Sequence, residues 1–230
     1  MFPFLRSGRR GCGSVAPGIV FAVRAGCDTP KAITDMTASQ RERRAALTDA
    51  VIAMLQEMEP ERIQMREVSE RSRVALGTLY RYFPTKSHLL AASMVAWNDR
   101  LSRKLEAERC RARETGAVDD RSVRDRVQAL YRRQLRAFQR GPNFARLDID
   151  LTASSDPYVR ESMQQRAAAN HAATLALMDG VPDDVARVAL LAIDGTMLAA
   201  LAHWISGRLS FAGAVRNVED VAALVLADYA

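Results

Sequence analysis

Three cysteines in 230 residues, an odd number with no Cys-x-x-Cys pair, argue against a disulfide framework and for a reducing, cytoplasmic setting. His88, His171 and His203 are the only imidazoles, too few and too scattered for a zinc site. No run of about 20 apolar residues stands out, which reads as excluding a membrane-spanning chain and a membrane partner. The longest apolar stretch near the start, Ile19 to Val23, is cut by Arg24 and is too short for a signal peptide. Gly-x-Ser-x-Gly, P-loop, His-Glu-x-x-His and dinucleotide fingerprints are all missing. Asp148 and Asp150 stand two apart and face different ways on a helix, which makes them a poor acid/base pair. The sequence therefore offers no catalytic residue, no metal ligand set and no cofactor site, and an enzyme is not expected. No alternating strand pattern and no repeat occurs either, so the expected fold class is all-α.

What is present is a globular composition, 48% hydrophobic and 26% charged, with charge divided along the chain. Residues 1–140 carry 27 Lys and Arg against 16 Asp and Glu, whereas residues 141–230 carry 6 against 11. A basic front and an acidic back suggest that one end meets a polyanion, although solvated Arg-rich helices would give the same tally. Residues 1–35 form a separate texture. Gly11, Gly13, Gly18 and Gly26 with Pro3, Pro17 and Pro30 break any helical pattern, and Cys12 and Cys27 fall here. This stretch reads either as a disordered basic arm or as sequence upstream of a true start at Met36.

From Ser39 a helix is expected, with Ser39 and Glu42 as a capping box. Leu47, Ala50, Val51, Met54, Leu55 and Met58 recur at helical spacing, and Pro60 stops the run. Arg41, Arg43 and Arg44 crowd the first turns, where cations oppose the helix dipole; a nearby polyanion would offset that. Met65 to Arg71 reads as a short helix, Ser72-Arg73-Val74 as a turn, and Leu76 to Phe83 as a second short helix closed by Pro84. Val68, Val74, Leu79 and Phe83 are spaced to share a small core. Two short helices across a three- or four-residue turn follow the helix-turn-helix plan, whose second helix enters the major groove.

The run Gly77-Thr78-Leu79-Tyr80-Arg81-Tyr82-Phe83-Pro84-Thr85-Lys86, followed by Leu89-Leu90, resembles the recognition-helix signature of the TetR family of bacterial transcription regulators. The resemblance covers Gln40 to Leu90. It implies an all-α homodimer, with an N-terminal three-helix helix-turn-helix DNA-binding domain (36–86) and a C-terminal helical ligand-binding and dimerisation domain (87–230). The function it implies is ligand-responsive repression, relieved when a small molecule releases the protein from a palindromic operator in double-stranded DNA. The chain departs from the family pattern at two positions. Arg73 stands where a glycine is common, and Ala75 where a serine often caps the helix.

Residue roles follow from chemistry. Ala75, Leu76 and Gly77 bring the start of the recognition helix close to DNA, and Thr78 can reach a base edge or a phosphate. Tyr80 and Tyr82 are turned about 200° apart; the family pattern favours Tyr80 outward. Arg81 is the candidate for a guanine, because guanidinium pairs bidentately with O6 and N7. Thr85 and Lys86 open the next helix as a phosphate clamp, and Arg41, Arg43, Arg44 and Arg66 supply non-specific phosphate contacts.

Beyond this unit, Lys86 to about Arg113 reads as one helix about 40 Å long. Further helices are expected at 122–139, 143–151, 158–178, 183–206 and 218–228, with a loop at Gly116–Asp120. The 183–206 helix is apolar nearly all round, with a stripe of small residues, Ala192, Gly195, Thr196, Ala199, Ala202 and Ser206. Together with 218–228 it is expected to pack against its two-fold mates as a four-helix interface. Trp97, Leu101, Tyr131, Phe138, Phe144, Leu147, Met163, Met197, Leu201 and Trp204 are the candidates for a mostly apolar effector cavity. Within the family, Ala202-His203-Trp204-Ile205 and the Tyr80 to His88 run resemble the KstR-type regulators of sterol catabolism. That likeness implies a large apolar acyl- or steroid-CoA thioester as effector, with Arg132, Arg133 and Arg136 meeting its phosphates. The competing reading is a helical protein–protein interaction module that binds no DNA.

Overall fold

The computed structural model describes residues 33–114 and 119–230, and all secondary structure among them is helical. The two readings of residues 1–35 fall almost wholly outside the described residues, as do Cys12, Cys27 and most of the Gly116–Asp120 loop. A 3-10 turn at Ile33–Asp35 leads through buried Met36 into α1, Ala38–Glu57. The capping box at this entrance is made by Thr37 and Gln40, not by Ser39 and Glu42. Thr37 Oγ1 accepts from the Gln40 amide at 3.3 Å and Gln40 Oε1 accepts from the Thr37 amide at 2.9 Å. The pattern of a hydroxyl followed by a carboxamide three residues later simply starts two positions earlier. Helix α1 ends at Glu57, before a 3-10 turn that Pro60 opens.

Helices α2 (Met65–Ser72) and α3 (Leu76–Tyr82) pack on α1. Leu47, Val51, Met54, Leu55, Ile63, Val68, Val74, Leu79 and Phe83 make one buried cluster, including the four positions expected to share a core. Helix α4, Lys86–Glu114, runs from this head into the body. There it packs against α7 (Pro157–Leu175) and α6 (Pro142–Thr152). Helix α5 (Val123–Arg140) lies against α9, and α8 (Asp183–Ile205) pairs with α9 (Phe211–Val225) in the most extensive helix–helix contact. Gly141 joins α5 to α6 because a Cβ there would stand 2.7 Å from the Phe144 ring.

Two further expectations change. The last helix begins at Phe211, not Val218, because Ser210 caps it through the Gly213 amide at 3.1 Å. Gly213 sits in the first turn, where Leu209 Cδ1 comes within 2.7 Å of where its Cβ would be. The second change concerns α8, which is 23 residues long with an apolar window of mean hydropathy 1.8, enough to cross a membrane by length and composition. The sequence-level exclusion of any such segment is therefore wrong. The same apolar surface is here used against α6 and α9, burying Ala186, Ala189, Leu190, Ile193, Ala200 and Leu201.

Candidate functional site: a nucleic-acid interface and an internal cavity

The turn between α2 and α3 is made left-handed by a residue poorly suited to it. Arg73 sits at φ 57°, ψ 26°, a conformation that costs a non-glycine residue about 1–2 kcal/mol. Two serines hold the turn in compensation. Ser69 Oγ donates to the Val74 carbonyl at 2.7 Å, and Ser72 Oγ accepts from the Val74 amide at 3.3 Å. The strain at Arg73 is legible in the sequence; this pair of staples is not. Ala75 gives α3 no side-chain cap.

Ala75, Leu76, Gly77, Tyr80 and Arg81 are exposed along one side of the head, with Thr78 partly so, while Leu79 and Phe83 are buried beneath. Tyr80 faces solvent and Tyr82 packs on the core. Arg81 Nη2 donates to Thr78 Oγ1 at 3.0 Å, so the α3 hydroxyl and guanidinium are already aligned. Gly77 leaves an open face, since nothing lies within 4 Å of the point where a Cβ would stand. The basic residues divide by environment. Arg66 is highly exposed and pairs with Glu70 on its own helix. Arg43 reaches back to the Ser39 carbonyl and Arg41 to the Met36 carbonyl. Arg44 differs, since it is half-buried and its guanidinium lies 4.9 Å over the Phe83 ring, where burial lowers its pKa. Lys86 donates to the Glu61 carbonyl at 2.9 Å, and partial burial lowers its pKa too.

The head is tied to the body on two sides, the first a compact joint around Thr85. Thr85 Oγ1 accepts from the His88 amide at 3.0 Å, capping α4, and donates to Asp156 Oδ2 at 3.0 Å. The other oxygen of Asp156 caps α7 through the Tyr158 amide at 2.9 Å. The His88 ring stacks on Tyr158 at 4.7 Å and meets Phe83 edge-on at 5.1 Å. Burial, reinforced by Arg44, depresses its pKa to about 4. On the far side, Asn143 of α6 donates to the Leu55 and Met58 carbonyls, both at 3.0 Å, and so closes the end of α1.

The body holds a half-open cavity of about 260 Å³ among α4, α5, α6, α7 and α8. Trp97, Leu101, Tyr131, Phe138, Met197 and Leu201 line it. The other four candidates lie elsewhere. Phe144 stacks behind Trp97 at 4.5 Å, and Leu147 is core. Met163 packs at the core edge. Trp204 meets Phe211 edge-on between α8 and α9. The exposed wall is mostly apolar, and it also carries paired polar groups. Asp148 and Arg166 form a buried ion pair, with burial raising the Asp148 pKa against the pull of Arg166. Tyr131 donates to Asp194 Oδ1 at 2.5 Å, and His171 Nε2 lies 2.9 Å from Asp194 Oδ2. Burial, then the Asp194 charge, raises the Tyr131 pKa. The one legible signal was Asp194, the one charged residue between Val188 and Ala202.

A second cavity of about 490 Å³ adjoins the first, and Asn98, Leu101, Gln134 and Asn170 line both. Its rim carries Lys104, Arg132, Arg133, Arg136 and Arg140 against a single carboxylate, Glu108. Arg133 is paired with Glu108, and Arg132 with Glu219 at 2.5 Å. On the opposite side of the body the small-residue stripe is accessible. Gly195, Ala199 and Ser206 are exposed, and Ala192, Thr196 and Ala202 partly so. Leu191 and Leu224 beside them are 71% and 77% exposed in the single chain.

A helix-turn-helix head joined by one long helix to a helical body with a half-open cavity defines a DNA-binding regulator that responds to a ligand. The chain belongs to the TetR family of bacterial regulatory proteins, whose family model matches residues 47–93. It is 30% identical over 196 residues to the HTH-type transcriptional repressor KstR of Rhodococcus jostii, covering 83% of this chain and 85% of that one. To the KstR of Mycobacterium tuberculosis it is 31% identical over 204 residues, 83% of each chain. Among solved structures it is similar to a TetR transcriptional regulator from Rhodococcus sp. RHA1, at TM-score 0.70 and 26% identity, over 84% of this chain and all of that one. A tetR-family regulator from Streptomyces coelicolor shares the fold at TM-score 0.59 and 17% identity, over 82% of each chain. The protein is a ligand-responsive, DNA-binding transcriptional repressor, similar to KstR. Regulators of this family bind DNA and small-molecule effectors and act as dimers.

Proposed function

We propose that residues 36–86 grip an operator, that residues 87–230 hold the effector and the dimer partner, and that the effector is an anionic amphiphile, an acyl- or steroid-CoA thioester. The observation that carries the effector class is the pairing of two cavities. One is walled largely by Trp97, Leu101, Phe138, Met197 and Leu201, and the adjoining one is rimmed by five cations. An apolar tail and a polyphosphate head need that combination of environments. Arg133, Arg136 and Arg140 meet the phosphates in this reading.

On the DNA side, Arg81 with Thr78 reads base edges, Tyr80 and Gly77 lie against the backbone, and Arg41, Arg43 and Arg66 add phosphate contacts. Arg44 braces Phe83 more than it faces DNA. The exposed α8 stripe with Leu191 and Leu224 is the surface that a second copy covers, since apolar area of that kind is costly to leave in water. Two recognition helices then stand about 34–36 Å apart, one turn of the double helix. A ligand that favours another setting of α4 lowers operator affinity by its differential affinity for the two states.

A gel shift on DNA flanking the protein's own gene, with and without acyl-CoA thioesters and with free CoA as control, tests the reading. Retarded DNA that an acyl-CoA releases is the expected result. A complex indifferent to every thioester would remove the effector assignment, and absence of any complex at low salt would remove the operator assignment.

A further inference from the structure

The last carbonyls of an α-helix have no amide partner on their own helix. Helix α1 runs out through Gln56-Glu57-Met58-Glu59-Pro60, with no glycine to close it and no basic side chain in its last turn. A donor comes from the body instead. Asn143 lies 85 and 88 positions further on, and its side-chain NH₂ donates to both the Met58 and the Leu55 carbonyls at 3.0 Å. The turn that carries Asn143 has no slack. A Cβ on Gly141 would stand 2.7 Å from the Phe144 ring and 3.8 Å from Gln56 Nε2 of α1. Phe144, next to Asn143, is fully buried and stacks on Trp97 at 4.5 Å, with the rings 11° from parallel. Trp97 lines the cavity, as do Asp148 and Thr152 further along α6. Helix α6 is about three turns long, and a helix this short curves little. One short rod therefore touches the head at its start and the cavity along its length.

We infer that Asn143 is a positioning residue for operator binding, a cap supplied across the domain boundary through which α6 holds the head at a setting that the cavity controls. An occupant that shifts Trp97 shifts Phe144 with it, and the amide beside Phe144 leaves the two carbonyls. The head then keeps only its other joint, around Thr85. Helix α1 carries the buried cluster on which α3 packs, so the recognition helix moves when the end of α1 is released. This link is separate from the chain connection through α4. It depends on the cavity holding the effector, not on which effector it is.

The test uses the full-length chain, labelled DNA flanking its own gene and stearoyl-CoA as the probe. The quantity read is the factor by which saturating stearoyl-CoA weakens DNA binding in fluorescence anisotropy. Asn143→Ala, and Asn143→Asp with the same shape but no N–H to donate, should each shrink that factor about three- to tenfold. Affinity for stearoyl-CoA without DNA, followed by tryptophan fluorescence, should not fall. Ser122→Ala removes the α5 cap on the Asp125 amide, far from the head, at a comparable cost in Tm, and should leave the factor as it is in the parent. A cycle that needs no effector separates the link from the ligand class. Trp97→Leu removes the ring against Phe144, and its effect on DNA affinity should differ by at least about threefold between the parent and the Asn143→Asp background. Additive effects in that cycle overturn the inference whatever stearoyl-CoA does. A factor that survives in both Asn143 variants, or shrinks equally in Ser122→Ala, overturns it too and leaves the effector reading standing. If stearoyl-CoA fails to release DNA from the parent chain while the cycle shows coupling, the link stands and the acyl-CoA assignment is the one overturned.

Discussion

Asp156 serves two helices at once, and its removal should be felt in both. Asp156→Ala deletes the α7 cap on the Tyr158 amide, a loss of about 1 kcal/mol. It also deletes the acceptor for the Thr85 hydroxyl, about 1 kcal/mol more at this exposed position. The expected total is about 2 kcal/mol, or roughly 4–8 °C in Tm for a chain of this size. Asp156→Asn should cost less than half as much. Its carboxamide oxygen keeps the cap, and its NH₂ can donate to Thr85 Oγ1, which has a second lone pair beside the one used by His88. Urea denaturation followed by circular dichroism measures both variants. A double-mutant cycle with Thr85→Val isolates the bond between head and body, with an expected coupling of about 0.5–1 kcal/mol. Additive single effects, or equal costs for Ala and Asn, would refute the claim that this carboxylate ties α4 to α7.

Four further outcomes follow from the same geometry. Arg73→Gly should raise stability by up to about 1 kcal/mol, since relief of the left-handed strain exceeds the added freedom of the unfolded chain; Arg73→Ala should show no gain, and an equal gain would place the effect in the charge. His88 titrates at about 4 when folded and near 6.5 when unfolded, so the unfolded chain takes up its proton first. Stability should therefore fall as pH drops from about 6.5 toward 4, by about 2 kcal/mol at pH 5 relative to pH 8; a His88→Gln variant with the same slope in urea midpoints would exclude His88 as its source. Arg81→Ala should cost about 1–3 kcal/mol on the operator and little on random DNA, whereas Lys86→Ala should weaken both and lower the salt slope by about 1; equal losses on both DNAs for both variants, in gel shifts at several salt concentrations, would contradict these roles. Leu191→Asp, in the exposed α8 face, should yield a monomer by analytical ultracentrifugation with lost operator binding, and a variant still dimeric would move the interface elsewhere.

The helix-turn-helix was legible because its signals are local. A hydroxyl with a carboxamide or carboxylate three residues on, apolar residues at helical spacing, and the prolines that follow α1 and α3, Pro60 and Pro84, all lie within a few residues of the elements they mark, and the error at Ser39 was only of two positions. The left-handed Arg73 could be named from the family pattern, in which a glycine is common at that position. The body was legible as helices but not as a site. Phe144, Leu147, Met163 and Trp204 have the chemistry of cavity residues, yet composition does not say whether an apolar side chain faces a void, another core residue or a neighbouring helix. The last helix was expected only from Val218, because the cap that starts it at Phe211, Ser210 Oγ accepting from the Gly213 amide, was not read.

Sequence alone determined the head: which helix is presented, which side chains it carries outward, and the cationic excess around it, since each depends on neighbours within a few residues. Tertiary structure decided the rest. Asp148 and Arg166 are 18 positions apart, and Tyr131 and Asp194 are 63 apart; only the packing of α5, α6, α7 and α8 brings them to one wall. A buried charge is tolerated where a partner is held against it, and that partner is fixed by how helices cross, which no local pattern encodes.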